Sequence, residues 1–468
     1  MQSRADHFKA NATERLQHAG LQANLRRFGQ RFASARAAAI AELDDFAGLR
    51  QQAAAWRDMT LPQLDTWLLR FEEAATHAGT QVHWAATAAE VNRIVLDIAR
   101  QNGVRHVVKS KSMVSEETGL NDALKDAGIS TVETDLGEYI LQLAGEPPSH
   151  LVAPALHKNA EEVADLFEQH HHTPRQTDIP TLCREARAQL RPHFLNADMG
   201  ISGANFLVAE TGSVVLLTNE GNGRLVTTLP RVHVAITGIE KVIPNLTALA
   251  PLLRLLPRSA TGQPITNYVS LLTGPRRPEE DEGPQQHHVI LVDGGRSELL
   301  GSELQPALRC IRCAACMNHC PVYQNIGGHA YGWVYPGPIG AVLTPAYLGL
   351  ENARDLPQAA TLCGACEVVC PVAIPLPALL RSWRQRSVER GLRPWSERLG
   401  LRLWRWAALH PRIYHWLARR LSRLLRRAGG PAGQLTHVPG LSDWTSGRNL
   451  ATPDEIPFHA QWAQGRRR

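Results

Sequence analysis

Between residues 310 and 370 the chain carries seven of its eight cysteines, Cys310, Cys313, Cys316, Cys320, Cys363, Cys366 and Cys370, and only Cys183 stands apart. No other feature narrows the choice of fold so far. Cys310-Ile-Arg-Cys313-Ala-Ala-Cys316-Met-Asn-His-Cys320-Pro321 is a C-x2-C-x2-C-x3-C-P run. Thiolates at that spacing cap one face of a cubane iron-sulfur cluster, while the fourth cysteine reaches a second cluster. Cys363-Gly-Ala-Cys366-Glu-Val-Val-Cys370-Pro371 repeats the run from its second cysteine onward, with Ala360 at the position of the first ligand. Under crossed ligation Cys310, Cys313, Cys316 and Cys370 hold a complete 4Fe-4S cluster. Cys320, Cys363 and Cys366 then give three thiolates to a second cluster, which is 3Fe-4S, or 4Fe-4S with an external or non-cysteine fourth ligand. A zinc module needs four ligands about a tetrahedral centre, typically two C-x2-C pairs. It leaves the seventh thiol and both Cys-Pro endings unexplained, so the expectation is two iron-sulfur clusters and electron transfer.

Other residues near the cysteines carry less. Arg312 and His319 read as solvated side chains at a loop edge rather than groups that tune a cluster. Cys183 lies in a helix-like run, TLCREARAQL, and reads as a buried structural thiol. The segment GGHAYGWVYPGPIG, residues 327–340, has too many turn residues for a long helix. It fits a rigid loop wrapping a cofactor and a plain connector equally well.

At 468 residues the chain is long enough for two to four domains. Its first ten residues are polar and charged, and no apolar run approaches the roughly 18 residues of a membrane span. The cytoplasm is therefore the expected compartment, where clustered cysteines mean metal chemistry rather than disulfides. Residues 13–78 are Ala-rich with apolar residues at helical spacing, which predicts two or three helices. From Gln81 short apolar segments alternate with helical ones: strands at 82–85, 104–109 and 129–134, helices at 88–102 and 116–127. That rhythm predicts an α/β domain with a mainly parallel sheet. Further strands are expected at 151–154, 205–209, 213–218, 232–237, 268–272 and 288–292. The chain thus divides into a helical region over 1–80 packing on an α/β domain over 81–300, a mostly helical ferredoxin-type module over 301–380, and a tail over 381–468.

Polar loops after predicted strands are where α/β sheets bind ligands. Lys109-Ser-Lys111-Ser112 offers cations and hydroxyls suited to an anion, the alternative being a solvated loop that caps a helix. Glu210-Thr-Gly-Ser213 reads as a tight hairpin turn presenting one carboxylate. Lys109, Lys111 and Glu210 are the weak catalytic candidates of this domain. Neither G-x-G-x-x-G nor G-K-[ST] occurs, so a nicotinamide or ATP site is not supported.

The net charge of +6 hides an asymmetry, since residues 381–468 hold 18 Arg, no Lys and five acids, a balance of +13 against −7 for the rest. Seven of the eleven Trp also lie there. Arg interleaved with Trp would serve nucleic acid, but residues 398–427 place Leu and Trp at helical spacing. A basic amphipathic helix resting on a partner or an anionic membrane surface fits better, and no nucleic-acid partner is expected.

The segments KSKSMVSEE (109–117), GISGANFLVAETGSVVLLTNEGN (200–222), CIRCAACMNHCPVY (310–323), YGWVYPGPIG (331–340) and LCGACEVVCPVAIPL (362–376) together resemble the lactate utilisation protein B (LutB/YkgF-like) family. The resemblance implies a LUD domain of NagB/RpiA/CoA-transferase-like fold, a two-cluster ferredoxin-type domain and a C-terminal extension. It also implies the role of a non-catalytic electron-transfer subunit in flavin-independent oxidation of L-lactate to pyruvate. A cysteine-rich-motif protein and a second LUD protein would be its companions, passing electrons to an acceptor the sequence leaves unnamed. The alternative makes the LUD domain catalytic, with Glu210 as acyl acceptor in CoA-transferase-like chemistry. Contact with a partner protein or with the inner face of the membrane through 381–427 is the expectation for the tail.

Overall fold

The computed structural model describes residues 3–438, 445, 448–454, 456–463 and 465; Trp444 and Arg466 to Arg468 of the basic tail lie outside them. Two compact units result, Met1–Ser387 and Val388–Arg468. The first opens with four helices where two or three were expected: α1 (Phe8–Leu16), α2 (Ala19–Ala41), α3 (Phe46–Thr60) and α4 (Leu64–His77). Side-chain caps make the divisions, since His18 accepts from the Leu21 N–H to start α2 and Asp45 accepts from Gly48 to start α3.

The α/β rhythm follows as β1 (Gln81–Ala85), α5 (Ala88–Gln101), β2 (His106–Lys109), α6 (Met113–Thr118), α7 (Leu120–Asp126), β3 (Ser130–Glu133) and α8 (Leu136–Ala144). The single helix expected over 116–127 is split at Gly119, whose φ of 67° ends α6. After α9 (Ala160–His171) and α10 (Ile179–Leu195) come β4 (Met199–Ser202), β5 (Phe206–Val208), β6 (Ser213–Thr218), α11 (Asn222–Thr228), β7 (Val232–Gly238), β8 (Val242–Ile243), α12 (Leu246–Ala260), β9 (Tyr268–Leu272) and β10 (Gln286–Val292). Strands β1-β10-β7-β4-β2-β3 form a six-stranded sheet whose pairs are all parallel. Its strands read as apolar runs because helices cover it, with Val91, Val95 and Ile98 of α5 packed among Val107, Ile201, Val234 and Ile290. A second sheet, β8-β5-β6-β9, carries the expected β5–β6 hairpin.

Two expectations fail. Residues 151–154 form no strand; the His150 ring accepts from the Val152 and Ala153 N–H groups at 3.0 and 2.9 Å, so a side chain supplies the partners a ladder would have given. Strand β4 occupies residues where no strand was expected, and Gly200 within it is obligatory because a Cβ there would stand 1.9 Å from the Val226 carbonyl oxygen of α11.

The cysteine segment is built of short helices, α13 (Ala315–Asn318), α14 (Tyr323–Ile326), α15 (Gly337–Leu348), α16 (Ala365–Val368) and α17 (Leu376–Glu389). The N-terminal helices serve this segment as well as the α/β domain. Arg36 donates to the Val369 carbonyl, Arg50 to those of Cys370 and Glu367, and Arg57 to those of Val242 and Leu308.

Arg296, with 0% exposure, bridges Glu117 of α6 and Glu240 beyond β7, each at 2.8 Å. The Tyr335 hydroxyl donates to Glu117 at 2.6 Å, and Arg312 reaches Glu240 at 3.4 Å. Removing one member of a buried ion network strands the others in a poorly polarisable interior. Arg296→Met is therefore expected to lower stability by roughly 3–5 kcal/mol, measured by urea unfolding, whereas Arg93→Met at an exposed pair should change it by less than about 1 kcal/mol.

Candidate metal centre and adjoining pocket

Ligand loops of this kind need backbone turned toward sulfur, and the local conformation supplies it. Among the described residues five non-glycine positions have positive φ, and four flank the cysteines: Arg312 (60°), Ala314 (62°), Leu362 (58°) and Ala373 (49°). Gly364 (84°) stands where Ala314 does in the first run. Such conformations cost about 1–3 kcal/mol each. In return N–H groups face the sulfurs: Arg312 N lies 3.4 Å from Cys310 Sγ and Ile374 N 3.3 Å from Cys370 Sγ. Further N–H donors are Ala315 to Cys313, Ile339 to Cys316, and Val322 and Tyr323 to Cys320. The Ile339 contact brings the start of α15, at the end of the 327–340 segment, against Cys316.

The thiols fall into two electrostatic sets. Cys316 feels Cys310, Cys313 and Cys370, and Cys313 feels Cys370 and Cys310; Cys366 feels Cys320 and Cys363. Burial and then mutual repulsion push Cys313 and Cys366 up to about 12 and Cys370 to about 11. Thiols so raised ionise at neutral pH only when a cation replaces their protons. Among the described residues four buried donors without hydrogen-bond partners stand by them: Arg36 Nε beside Cys313 and Cys370, Arg57 Nε and Arg312 Nη1 beside Cys310, and the Tyr331 hydroxyl beside Cys320, Cys316 and Cys366. Orphaned donors around two thiol sets fit inorganic sulfide acceptors, and so fit iron-sulfur clusters.

The two sets differ in exposure. Cys313, Cys316 and Cys370 are buried, whereas Cys363 is exposed and Val368, between Cys366 and Cys370, is 73% exposed. At Ala360 only the carbonyl is engaged, accepting from Arg384 at 2.7 Å. Cys183, expected buried, is exposed on α10, whose inward face is taken by Leu182, Ala186 and Leu190.

Arg312 is not the solvated side chain expected. Its guanidinium stacks on the Tyr335 ring at 4.4 Å and its side chain is 12% exposed. His319 is half-buried, with Nδ1 2.9 Å from the Ala315 carbonyl. Burial alone would raise the Glu240 carboxyl, but Arg296, Lys241 and Arg312 outweigh it and bring it to about 2. Lys241 donates to the Cys310 carbonyl at 3.2 Å. Glu240 and Lys241 escaped the sequence reading, although two charges set inside the apolar run VHVAITGIEKVI were a visible signal.

The two candidate lysines part company. Lys109 is 1% exposed and bound to Glu133 (2.5 Å), Glu116 (3.3 Å) and Asn121 (2.6 Å), so it is not free to receive an anion. Burial would lower its pKa, yet Glu133 and Glu116 raise it above the ordinary lysine value. Lys111 lines a cavity of about 450 Å³ together with Ser110, Ser112, Asn205, Glu240, Lys241, Ile311 and Arg312. Glu210 lies outside that lining; it is exposed in the β5–β6 turn and accepts from the Leu246 N–H at the start of α12.

In the second unit the expected single helix is two, α18 (Trp395–Ala408) and α19 (Pro411–Ala428), broken at His410-Pro411. Trp404, Trp406, Trp416, Leu421 and Leu424 are all more than half exposed. No described helix is long and apolar enough to cross a membrane.

Comparison with known proteins matches residues 68–292 to the LUD domain and residues 306–374 to a 4Fe-4S dicluster domain. Lactate utilization protein B of Bacillus licheniformis is 42% identical over 98% of this chain and 97% of its own, and that of Geobacillus kaustophilus 44% over 92% and 91%. An Escherichia coli K12 protein described as an uncharacterized electron transport protein, YkgF, is 42% identical over 92% and 91%. A DUF162-family crystal structure from Deinococcus radiodurans aligns at 12% identity over 49% of this chain and 98% of that one, with a TM-score of 0.29. Anaerobically prepared protein is expected to hold iron and sulfide in two EPR-distinct clusters. Cys313→Ser should lose the first, and Cys183→Ser should keep both; stoichiometric zinc without sulfide would contradict the assignment.

Proposed function

The chain belongs to the lactate utilisation protein B family, and from that premise we propose that it is the iron-sulfur electron-transfer subunit of a flavin-independent system oxidising L-lactate to pyruvate. A cysteine-rich-motif protein and a second LUD protein are its proposed companions. The observation that carries the reading is the sorting of seven thiols into a four-membered, largely buried set and a three-membered set with an exposed edge. Converting L-lactate to pyruvate releases two electrons and two protons, and each iron-sulfur cluster, when bound, takes up and hands on one electron. The chain's own residues arrange the rest. Arg36, Arg50, Arg57, Lys241 and Arg312 bring positive charge beside the first set and offset the charge of its thiolates. Cys363 and Val368 present the second set to a partner surface, where close approach speeds electron exchange. The fourth ligand of that cluster is proposed to be external, Ala360 having no donor side chain.

The acyl-transfer alternative draws little support, because Glu210 is spent on capping α12 and stands away from the cavity. Cytoplasmic placement is proposed, with the arginines and exposed Trp and Leu of α18 and α19 resting on the anionic inner face of the membrane.

Isolated holoprotein mixed with L-lactate is expected to keep its clusters oxidised, and adding the companions should reduce them on the timescale of turnover, followed by EPR. Rapid pyruvate formation by this chain alone would overturn the reading. For the tail, replacing Arg419, Arg420, Arg423 and Arg427 with Gln should weaken sedimentation with phosphatidylserine vesicles, at about 1 kcal/mol per charge, and leave iron content unchanged.

A further inference from the structure

Elements far apart in sequence converge on the cavity beside the Cys310–Cys313 loop. Ser110, Lys111 and Ser112 follow β2, Asn205 follows β4, Glu240 and Lys241 follow β7, and Ile311 and Arg312 come from the cysteine run. The carboxyl ends of parallel strands thus meet the cluster loop at one cavity of about 450 Å³, within the range of small-molecule sites.

Three cations, Lys111, Lys241 and Arg312, and three carboxylates, Asp135, Glu220 and Glu240, line it, and they are unevenly placed: Lys241 and Arg312 share the cysteine-loop end with Glu240 alone. Lys111 donates to the Val152 carbonyl at 2.8 Å and Lys241 to the Cys310 carbonyl at 3.2 Å, and neither forms an ion pair among the described residues. Glu240, the carboxylate nearest Lys241, is shared with Arg296 and Arg312. Asp135 and Glu220 also line the cavity, and Glu220 lies within the fields of Asp135 and Lys111. Lys241 lies within the fields of Arg312 and Arg57 as well as those of Glu240 and Cys310. The cationic end is therefore the one closed by the cysteine loop. Met113, Ile236 and Ile311 add an apolar wall, and Ser110, Ser112 and Asn205 add hydroxyl and amide groups.

We propose that this cavity binds a small 2-hydroxy or 2-oxo carboxylate, its carboxylate held by Lys241 in the field of Arg312 and its other oxygen by the polar wall that includes Lys111. The proposal deepens the lactate reading and rests on it for the choice of acid. Binding is without oxidation in the isolated chain, Glu240 being engaged at one oxygen by Arg296 and at the other by Arg312.

The test is titration calorimetry on anaerobic holoprotein with L-lactate and with pyruvate, acetate serving as the comparison anion, alongside the EPR spectrum of the first cluster. Saturable 1:1 binding of L-lactate or pyruvate, tighter than acetate and accompanied by a changed EPR signal, is expected. Lys241→Met should weaken it at least tenfold, read on protein that keeps its iron and sulfide, and Lys125→Met, at an exposed position, should not. If Lys241→Met loses iron, Lys111→Met, on a different segment, decides by the same tenfold criterion. Absence of saturable binding, or binding unchanged in the deciding variant, overturns the proposal. The electron-transfer reading is tested separately by reduction of the clusters in the presence of companions. Binding without that reduction leaves the cavity assigned and the subunit role refuted, and reduction without binding does the reverse.

Discussion

The buried arginine at 296 sits at the centre of an ion network that, with Arg57 and Lys241, fixes the cysteine segment against the α/β domain. Its two carboxylate partners belong to α6 and to the end of β7, while Tyr335 and Arg312, which close the network, belong to the cysteine segment. Taking these charges out of water is expensive, and the cost is met only when every partner is in place. The stacking of Arg296 on Tyr347 at 4.6 Å and of Arg312 on Tyr335 at 4.4 Å adds planar constraints. A network of this sort specifies one arrangement of the cluster loop against the sheet, since a displacement of a few ångströms would leave a buried carboxylate unpaired.

The cysteine loops depend on that frame. Four non-glycine residues in left-handed conformation and a group of thiols that repel one another are unfavourable in isolation. Arginines from α2 and α3 hold the loops from outside by their carbonyls, leaving the sulfurs to the N–H groups inside. Metal uptake and folding of this segment are therefore coupled: the protein scaffold holds the loops near their final geometry, and ligation compensates the remaining strain and repulsion. The same arginines place positive charge beside the first thiol set, whereas the second set is met by solvent at Cys363. This asymmetry gives the two centres different surroundings although their sequence motifs are near repeats.

Much of this could be read from the chain. Cluster ligation demands fixed spacing within a few residues, so C-x2-C-x2-C-x3-C-P and its incomplete repeat announce their chemistry locally, and the strand–helix rhythm from Gln81 announces a parallel sheet through its period. Partners at long range were less legible. Nothing local told Lys109, sealed against Glu133, from Lys111, two residues on and lining a cavity. Residues 151–154 look like a strand, yet the His150 ring, itself bonded to Asn318 of the cysteine segment, takes their N–H groups. Arg312 looks solvated until Tyr335 and Glu240 are brought to it.

By itself the sequence determined the iron-sulfur character of the cysteine segment, the class of the α/β domain and the basic, amphipathic character of the tail. These follow from short spacings and periodicities, which the backbone obeys wherever it is placed. Only the tertiary structure decided which cations surround the first set of thiols, which thiol is exposed, and where strand ends and cysteine loop enclose a cavity. Those outcomes arise from contacts between residues up to 333 positions apart, as between Arg36 and Val369. Charge burial and cavity shape are properties of the packed chain, and no local pattern encodes them.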